Sequence, residues 1–277
     1  PFTKKFPDRY IDVGIAEEHA VTYASGLSGA GKKPIIAIYS TFLQRAFDCI
    51  FHDGLLQDLP IIYCIDRAGL AGPDGPTHHG VFDIPMLRML PNMVVTAPKD
   101  GNELRNLLAT AAASKKSFSI RYPKGSSRSF HMNQAPELLN IGKWEELAEG
   151  SKVAILATGT MVGIVDDNLE IITKALGFSP TLINARFIKP LDESMLKKLG
   201  EQYCAILTME EGCLSGGFGS AVVEYYNDIG RSIKVGRMGI PDIFVDHGTR
   251  KELLDGLNLN SKGVVNKIKM ILGELNE

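Results

Sequence analysis

The segment PIIYCIDRAGLAGPDGPTHHGVFD, residues 60–83, decides how the rest of the chain is read. Its opening run Pro60–Ile65 is apolar and rich in β-branched side chains, the pattern of a strand buried on both faces of a parallel sheet. The stretch from Asp66 to Asp83 is too rich in glycine and proline to be a helix face. It reads as a loop at the carboxyl end of a strand, where ligands bind in open α/β sheets. Within it Arg67, Asp74, His78, His79 and Asp83 are spaced by Gly69, Gly72, Gly75, Gly80, Pro73 and Pro76. Glycine lets backbone approach a ligand and proline restrains the chain, so the segment reads as a shaped functional loop rather than a solvated connector.

Upstream, Arg9–Gly14 reads as a short strand, and the small-residue stretch after Glu17 as a helix closed by Gly29–Gly31. Glu17 and Glu18 suit a first helical turn through the helix dipole, and the sequence leaves open whether one of them is a working carboxylate. Pro34–Tyr39 is a second buried-type strand, and Ser40–Asp48 starts a helix with the Thr41/Gln44 spacing of a capping box. Phe42 and Arg45 share one face of that helix, with Tyr39 beside them, and point to a site rather than to core packing. His52 and Asp53 read as a packed histidine with a neighbouring carboxylate.

Beyond the loop, Met93–Ala97 and Ser117–Tyr122 read as strands flanking an amphipathic helix over 99–114, with Arg121 at the exit of the second strand. Residues 126–149 read as a linker with a short strand or hairpin, dividing a domain at 1–125 from another at 150–277. In the second domain strands are expected at 153–157, 180–185, 204–209 and 233–237. Helices are expected near 160–176, 192–200, 218–229, 249–256 and 261–275. Such alternation predicts an α/β protein with two doubly wound, largely parallel sheets.

Glu210–Ser220, EEGCLSGGFGS, is the chief candidate for chemistry in the second half, because a glycine-rich turn opening a helix can cradle an anion. It fits neither the dinucleotide fingerprint nor the P-loop, so a structural turn packing helix on sheet is preferred. The net charge of −2 offers no basic field for nucleic acid or a membrane surface, and favours small-molecule chemistry. Cys49, Cys64, Cys204 and Cys213 are far apart, and Cys64 and Cys204 in apolar runs read as core thiols of a reducing compartment. No cluster has zinc spacing, His131 and His247 need no special account, and a cytosolic protein is expected.

Several of these runs resemble one family. DVGIAEEHAVTYASGL (12–27), PIIAIYSTFLQRAFDCIFHD (34–53) and DRAGLAGPDGPTHHGVFDI (66–84) are similar to the pyrimidine-binding domain of the 1-deoxy-D-xylulose-5-phosphate synthases, thiamine-diphosphate enzymes of the transketolase superfamily. RFIKPLDE (186–193), the 210–220 run and GIPDIFVDHGTRKELL (239–254) are similar to the transketolase C-terminal domain. The resemblance implies a two-domain fold of that kind. It implies a transferase that condenses pyruvate, with decarboxylation, and D-glyceraldehyde 3-phosphate to 1-deoxy-D-xylulose 5-phosphate, for isoprenoid, thiamine and pyridoxal biosynthesis.

It also implies roles for residues. Glu17 matches the glutamate that hydrogen-bonds the cofactor's aminopyrimidine, where an apolar cleft favours a proton shared with the ring nitrogen. Phe42 matches the aromatic stacked on that ring. Tyr39, Arg45 and Asp74 match groups around cofactor and substrate, and His78 a histidine near the pyruvate-derived adduct. Arg67 and Arg121 match the cations that hold the substrate phosphate, for which paired guanidinium donors are suited. A homodimer in the cytoplasm or a plastid is implied too.

One departure stands out: the family's diphosphate-binding domain, with its Gly-Asp-Gly motif and magnesium ligands, has no counterpart in this sequence. Starting at Pro1, the chain is expected to be the two C-terminal domains of a longer synthase, inactive alone. A β-type subunit of a two-chain enzyme and a non-catalytic paralogue are the alternatives; joint retention of Glu17, Arg45, Arg67, Asp74, His78 and Arg121 speaks against the latter.

Overall fold

The computed structural model describes residues 2–274. Its strands are β1 (Ile35–Tyr39), β2 (Ile62–Asp66), β3 (Met93–Thr96), β4 (Ser117–Arg121), β5 (Glu145–Ala148), β6 (Val153–Ala157), β7 (Thr181–Asn184), β8 (Phe187–Lys189), β9 (Ala205–Cys213) and β10 (Lys234–Ile240). They form two five-stranded sheets, ordered β1-β2-β4-β3-β8 and β10-β9-β6-β7-β5. Within each sheet four strands run parallel, and the edge strand, β8 or β5, is antiparallel to its neighbour. Two α/β sheets of this kind are what the alternating apolar runs predict.

The register sets the functional edge. Tyr39 pairs with Asp66, and Ile65 with Arg121, so the ends of β1, β2 and β4 lie side by side and the Asp66–Asp83 loop rises from the middle one. The central strands are fully buried because helices cover both faces, which explains their unbroken apolar sequence. Helix Gly101–Ala113 packs Leu107 and Ala111 inward, as its spacing predicts, and Asp100 caps it by accepting from the amide of Glu103.

β8 joins the first sheet although its residues come from the second half. The halves also share one apolar cluster, in which Ile65, Phe118 and Leu87 lie with Phe187, Ile206 and Phe218. A second cluster under the other sheet takes in Leu70 and Val81 of the loop. Burying two such side chains is worth about 2 kcal/mol each, so the loop is pinned to the second half.

Several local expectations fail. Arg9–Gly14 is not a strand: Pro7–Arg9 form a 3-10 turn, and the mostly exposed residues that follow join neither sheet. Ser40–Leu43 is a short helix with Tyr39 at its cap and no capping box, because the Thr41 hydroxyl donates to the Thr77 carbonyl instead. His52 lies 2.8 Å from Asp48, one turn back and exposed, while Asp53 accepts from Thr22. The 160–176 helix breaks into Met161–Asp166 and Leu169–Leu176, since Asp167 and Asn168 favour a turn over a helix interior. Cys204 is exposed, because it precedes β9 rather than entering it.

Candidate functional site

Glu17 opens helix Glu17–Gly29 and is 8% exposed, whereas Glu18 faces solvent. Of the two acids, only Glu17 turns inward. Arg45, half-exposed, donates from Nη1 to Glu17 Oε1 at 3.1 Å. The same guanidinium lies 5.1 Å from the Phe42 ring centroid, a cation–π arrangement. Phe42 stacks on Tyr39 with centroids 5.6 Å apart and meets the ring of His78 edge-on at 5.4 Å. The Arg67 guanidinium lies 3.5 Å over the Tyr39 ring. Residues from three segments, far apart in the chain, thus form one continuous row at the edge of the first sheet: Glu17, Arg45, Phe42, Tyr39 with Arg67, and His78.

Arg67 is held in a demanding conformation. Its φ of +55° is in the left-handed region, which costs a non-glycine residue about 1 kcal/mol. Asp66 offsets this by accepting from the Arg67 amide at 2.7 Å and from Nη1 at 3.1 Å. The Arg67 Nε remains buried without a partner, a donor in reserve. Asp74, in a 3-10 turn, accepts from Lys124 Nζ at 2.6 Å, and chiefly this bond holds its carboxyl below the usual range. The charges of Lys124, His78 and Arg67 act in the same sense.

Arg121 does not join this row. It is 6% exposed, donates from Nε to buried Asp83 at 2.9 Å, and from Nη2 to the carbonyls of Gly80 and Glu211. The sequence places a cation at the strand exit correctly, and Asp83 with the Glu211 carbonyl of the second half hold it in the seam between the halves. Its guanidinium thus has Asp83 and two carbonyls as partners within the chain, and a phosphate shared with Arg67 belongs to the function proposed below.

The second half shows what sequence reading missed. Glu210 is fully buried, and its two carboxylate oxygens accept from the amides of Phe218 at 2.7 Å and Gly219 at 2.8 Å. The anion cradle at the start of helix Phe218–Asp228 is therefore filled from within, as a structural turn requires. Burial pushes the Glu210 carboxyl up to about 7. Glu211 accepts from the Leu70 amide at 2.9 Å, from Thr160 at 2.8 Å and from Arg250. Neither acid could be assigned from sequence, since their partners lie in distant segments or in their own turn. The basic run RYPK at 121–124 is the signal that would have flagged Lys124.

Two family models match: "Transketolase, pyrimidine binding domain" over residues 1–129 and "Transketolase, C-terminal domain" over residues 142–264. The chain belongs to the transketolase family and carries these two domains. Its similarity is strong to 1-deoxy-D-xylulose-5-phosphate synthases. It is 46% identical over 271 residues to that of Symbiobacterium thermophilum, covering 98% of this chain and 42% of the relative. To synthase 1 of Geobacter sulfurreducens it is 48% identical, covering 95% and 41%, and to the synthase of Aquifex aeolicus 46%, covering 97% and 42%. The chain spans about two fifths of the length of the curated relatives it matches. Among solved structures it resembles "Split gene transketolase, inactive beta4 tetramer", with a TM-score of 0.88 at 29% identity, covering 99% of this chain and 88% of that one. The transketolase of Campylobacter jejuni shares the fold, with a TM-score of 0.71 at 18% identity over 94% of this chain and 39% of that one. Among the described residues no helix is long and apolar enough to cross a membrane.

Proposed function

We propose that these residues form the pyrimidine side of a thiamine-diphosphate site, and that the whole protein makes 1-deoxy-D-xylulose 5-phosphate from pyruvate, with decarboxylation, and D-glyceraldehyde 3-phosphate. The product would serve isoprenoid precursor, thiamine and pyridoxal synthesis. The observation that carries this reading is the nearly buried Glu17 carboxylate, set by Arg45 at one end of the Phe42–Tyr39 aromatic pair. An aminopyrimidine fits such a place: the carboxyl group meets a ring nitrogen while the Phe42 face stacks on the ring. Arg45 then has to share or yield its bond to Glu17. When bound, the cofactor supplies the nucleophilic carbon and the electron sink. In this reading His78, edge-on to Phe42, meets the pyruvate-derived part, Asp74 is among the groups around cofactor and substrate, and Arg67, with its unpartnered Nε, offers with Arg121 a donor for the aldehyde's phosphate.

The 277 residues contain no Gly-Asp-Gly, so in this reading the diphosphate and magnesium side comes from outside them. An upstream segment of a longer chain is the first source. A partner chain is the second, favoured by the likeness to the split-gene transketolase, 88% of whose chain is covered. As in the family, two copies pair through these domains, and the cytoplasm or a plastid is the place of action.

The test is complementation. Calorimetric titration of the 277-residue chain with thiamine diphosphate and magnesium is expected to give no binding, and the chain alone no product. Addition of the diphosphate-binding half of a relative such as the Geobacter synthase is expected to restore both, and Glu17→Ala to lower turnover by at least ~10²-fold. Tight magnesium-dependent binding by the chain alone would overturn the division of the site. Full turnover in Glu17→Ala would overturn the role of Glu17.

A further inference from the structure

The loop that carries Asp74 and His78 is held on its far side by residues to which the functional reading gives no role. His79 is 3% exposed and directly follows His78. Its Nδ1 lies 2.9 Å from the amide nitrogen of Ala71, and its Nε2 lies 3.1 Å from the carbonyl oxygen of Asp246. A backbone N–H can only donate and a carbonyl can only accept. The two contacts together therefore define the ring: Nδ1 bears no proton, Nε2 bears one, and the imidazole is neutral.

The partners belong to different halves. Ala71 begins the inner arm of the loop, just before the turn Gly72–Asp74. Asp246 lies in the run GIPDIFVDHGTRKELL, a motif the proposed chemistry leaves unused. Other contacts repeat the arrangement. Leu70 and Val81 are buried in the second half's core, the Leu70 amide donates to Glu211, and the Cys213 amide donates to the Val81 carbonyl at 2.9 Å. Added Cβ atoms at Gly72 and Gly75 would come within 3.5 Å of the Gly248 carbonyl oxygen and 3.3 Å of His247 Cβ, so the 246–250 segment lies directly against the turn.

We propose that His79 is a positioning residue: as the neutral Nε2–H tautomer it ties the inner arm of the Asp66–Asp83 loop to the 246–250 segment and so sets His78 against Phe42. The assignment of His78 and Asp74 to substrate rests on the function proposed above; the tie itself does not. Without it, the stretch between the anchors at Leu70 and Gly80 loses its direct tie to the 246–250 segment, and His78, which follows the same backbone turn, is expected to lose its edge-on contact with Phe42.

The test uses the 277-residue chain without ligand, so that it stands apart from the cofactor question. Nitrogen-15 NMR of histidine-labelled protein at neutral pH is expected to show one buried ring with a proton on Nε2 and a bare Nδ1, a signal lost in His79→Gln. In the unaltered chain the ring protons of His78 carry the ring-current shift of Phe42, and in His79→Ala they move to solvent-like values. Hydrogen exchange followed by mass spectrometry is expected to quicken about tenfold in peptides 68–78 and 243–250 of His79→Ala. His79→Asn, which keeps an acceptor near Nδ1, restores protection to the first peptide only. His79→Gln, which keeps a donor near Nε2, restores it to the second only. An imidazolium or an Nδ1–H tautomer at His79 would overturn the proposal, as would a His78 signal unchanged in His79→Ala.

Discussion

The Asp66–Asp83 loop and the Glu210–Ser220 turn begin alike, each leaving the carboxyl end of a central parallel strand in a glycine-rich stretch. Their polar groups end differently. In the turn, Glu210 spends both oxygens on the amides of its own following helix, and nothing is left to offer a ligand. In the loop, Arg67 stays in left-handed backbone with a buried donor unpartnered, and His78 and Asp74 lie at the surface. Glycine content and sheet position are common to both, so neither identifies a site. What separates them is what is left once the protein's own counter-groups are counted: beside its pair with Asp66 the loop's Arg67 keeps a spare Nε donor, whereas Glu210 keeps nothing.

Arg121 bears on both regions, and its loss is expected to have the largest effect. Arg121→Ala leaves the Asp83 carboxylate buried without its counter-charge, and should lower stability by about 3–5 kcal/mol in urea unfolding. A loss under about 1 kcal/mol would show that the seam is not held there.

Next comes Glu210, through its pH dependence. Its folded value of about 7 lies above the ordinary 4.5, so the folded state holds a proton that the unfolded state has released. This contribution is fully present below pH 4.5 and is lost as pH rises through 7; at 1.36 kcal/mol per unit it is on the order of 3 kcal/mol. Glu210→Gln should flatten that fall, and should cost about 1–3 kcal/mol at pH 5 by turning an amide donor toward one of the two backbone donors. An unaltered pH profile would mean that the cradle does not depend on this proton.

Arg67→Asn is expected to change stability by less than about 1 kcal/mol, since relief of left-handed strain offsets the loss of the Asp66 pair. A large loss would make the loop's arginine structural and erase the contrast between the two regions. Arg45→Ala should cost least, no more than about 0.5 kcal/mol, and less at high salt, because the pair with Glu17 is half-exposed.

The parts legible in the sequence are those set by local pattern. Apolar runs located the central strands of both sheets, and the clustering of glycine, proline and charge located the loop. The spacing of Tyr39, Phe42 and Arg45 placed them together, and the resemblance pointed to Glu17, which the residues alone could not separate from Glu18. What escaped were choices made by distant partners. RFIKPLDE was legible as a family motif, yet nothing in it says that Phe187–Lys189 pairs antiparallel with β3. Arg9–Gly14 has strand composition but joins neither sheet. That Arg121 pairs with Asp83 was not legible either, because Asp83 lies in another segment.

The crossing of β8 into the first sheet reaches into how such chains recombine. A gene fusion or swap made anywhere in 126–149 would exchange a first half whose β3 edge had been shaped for one particular Phe187–Lys189, and would bring in a stranger's strand instead. That edge would then be mismatched or bare, an invitation to aggregate. Viable chimeras are therefore expected to keep residues 93–96 and 187–189 from the same parent, so that inheritance follows the sheet rather than the linear order of domains.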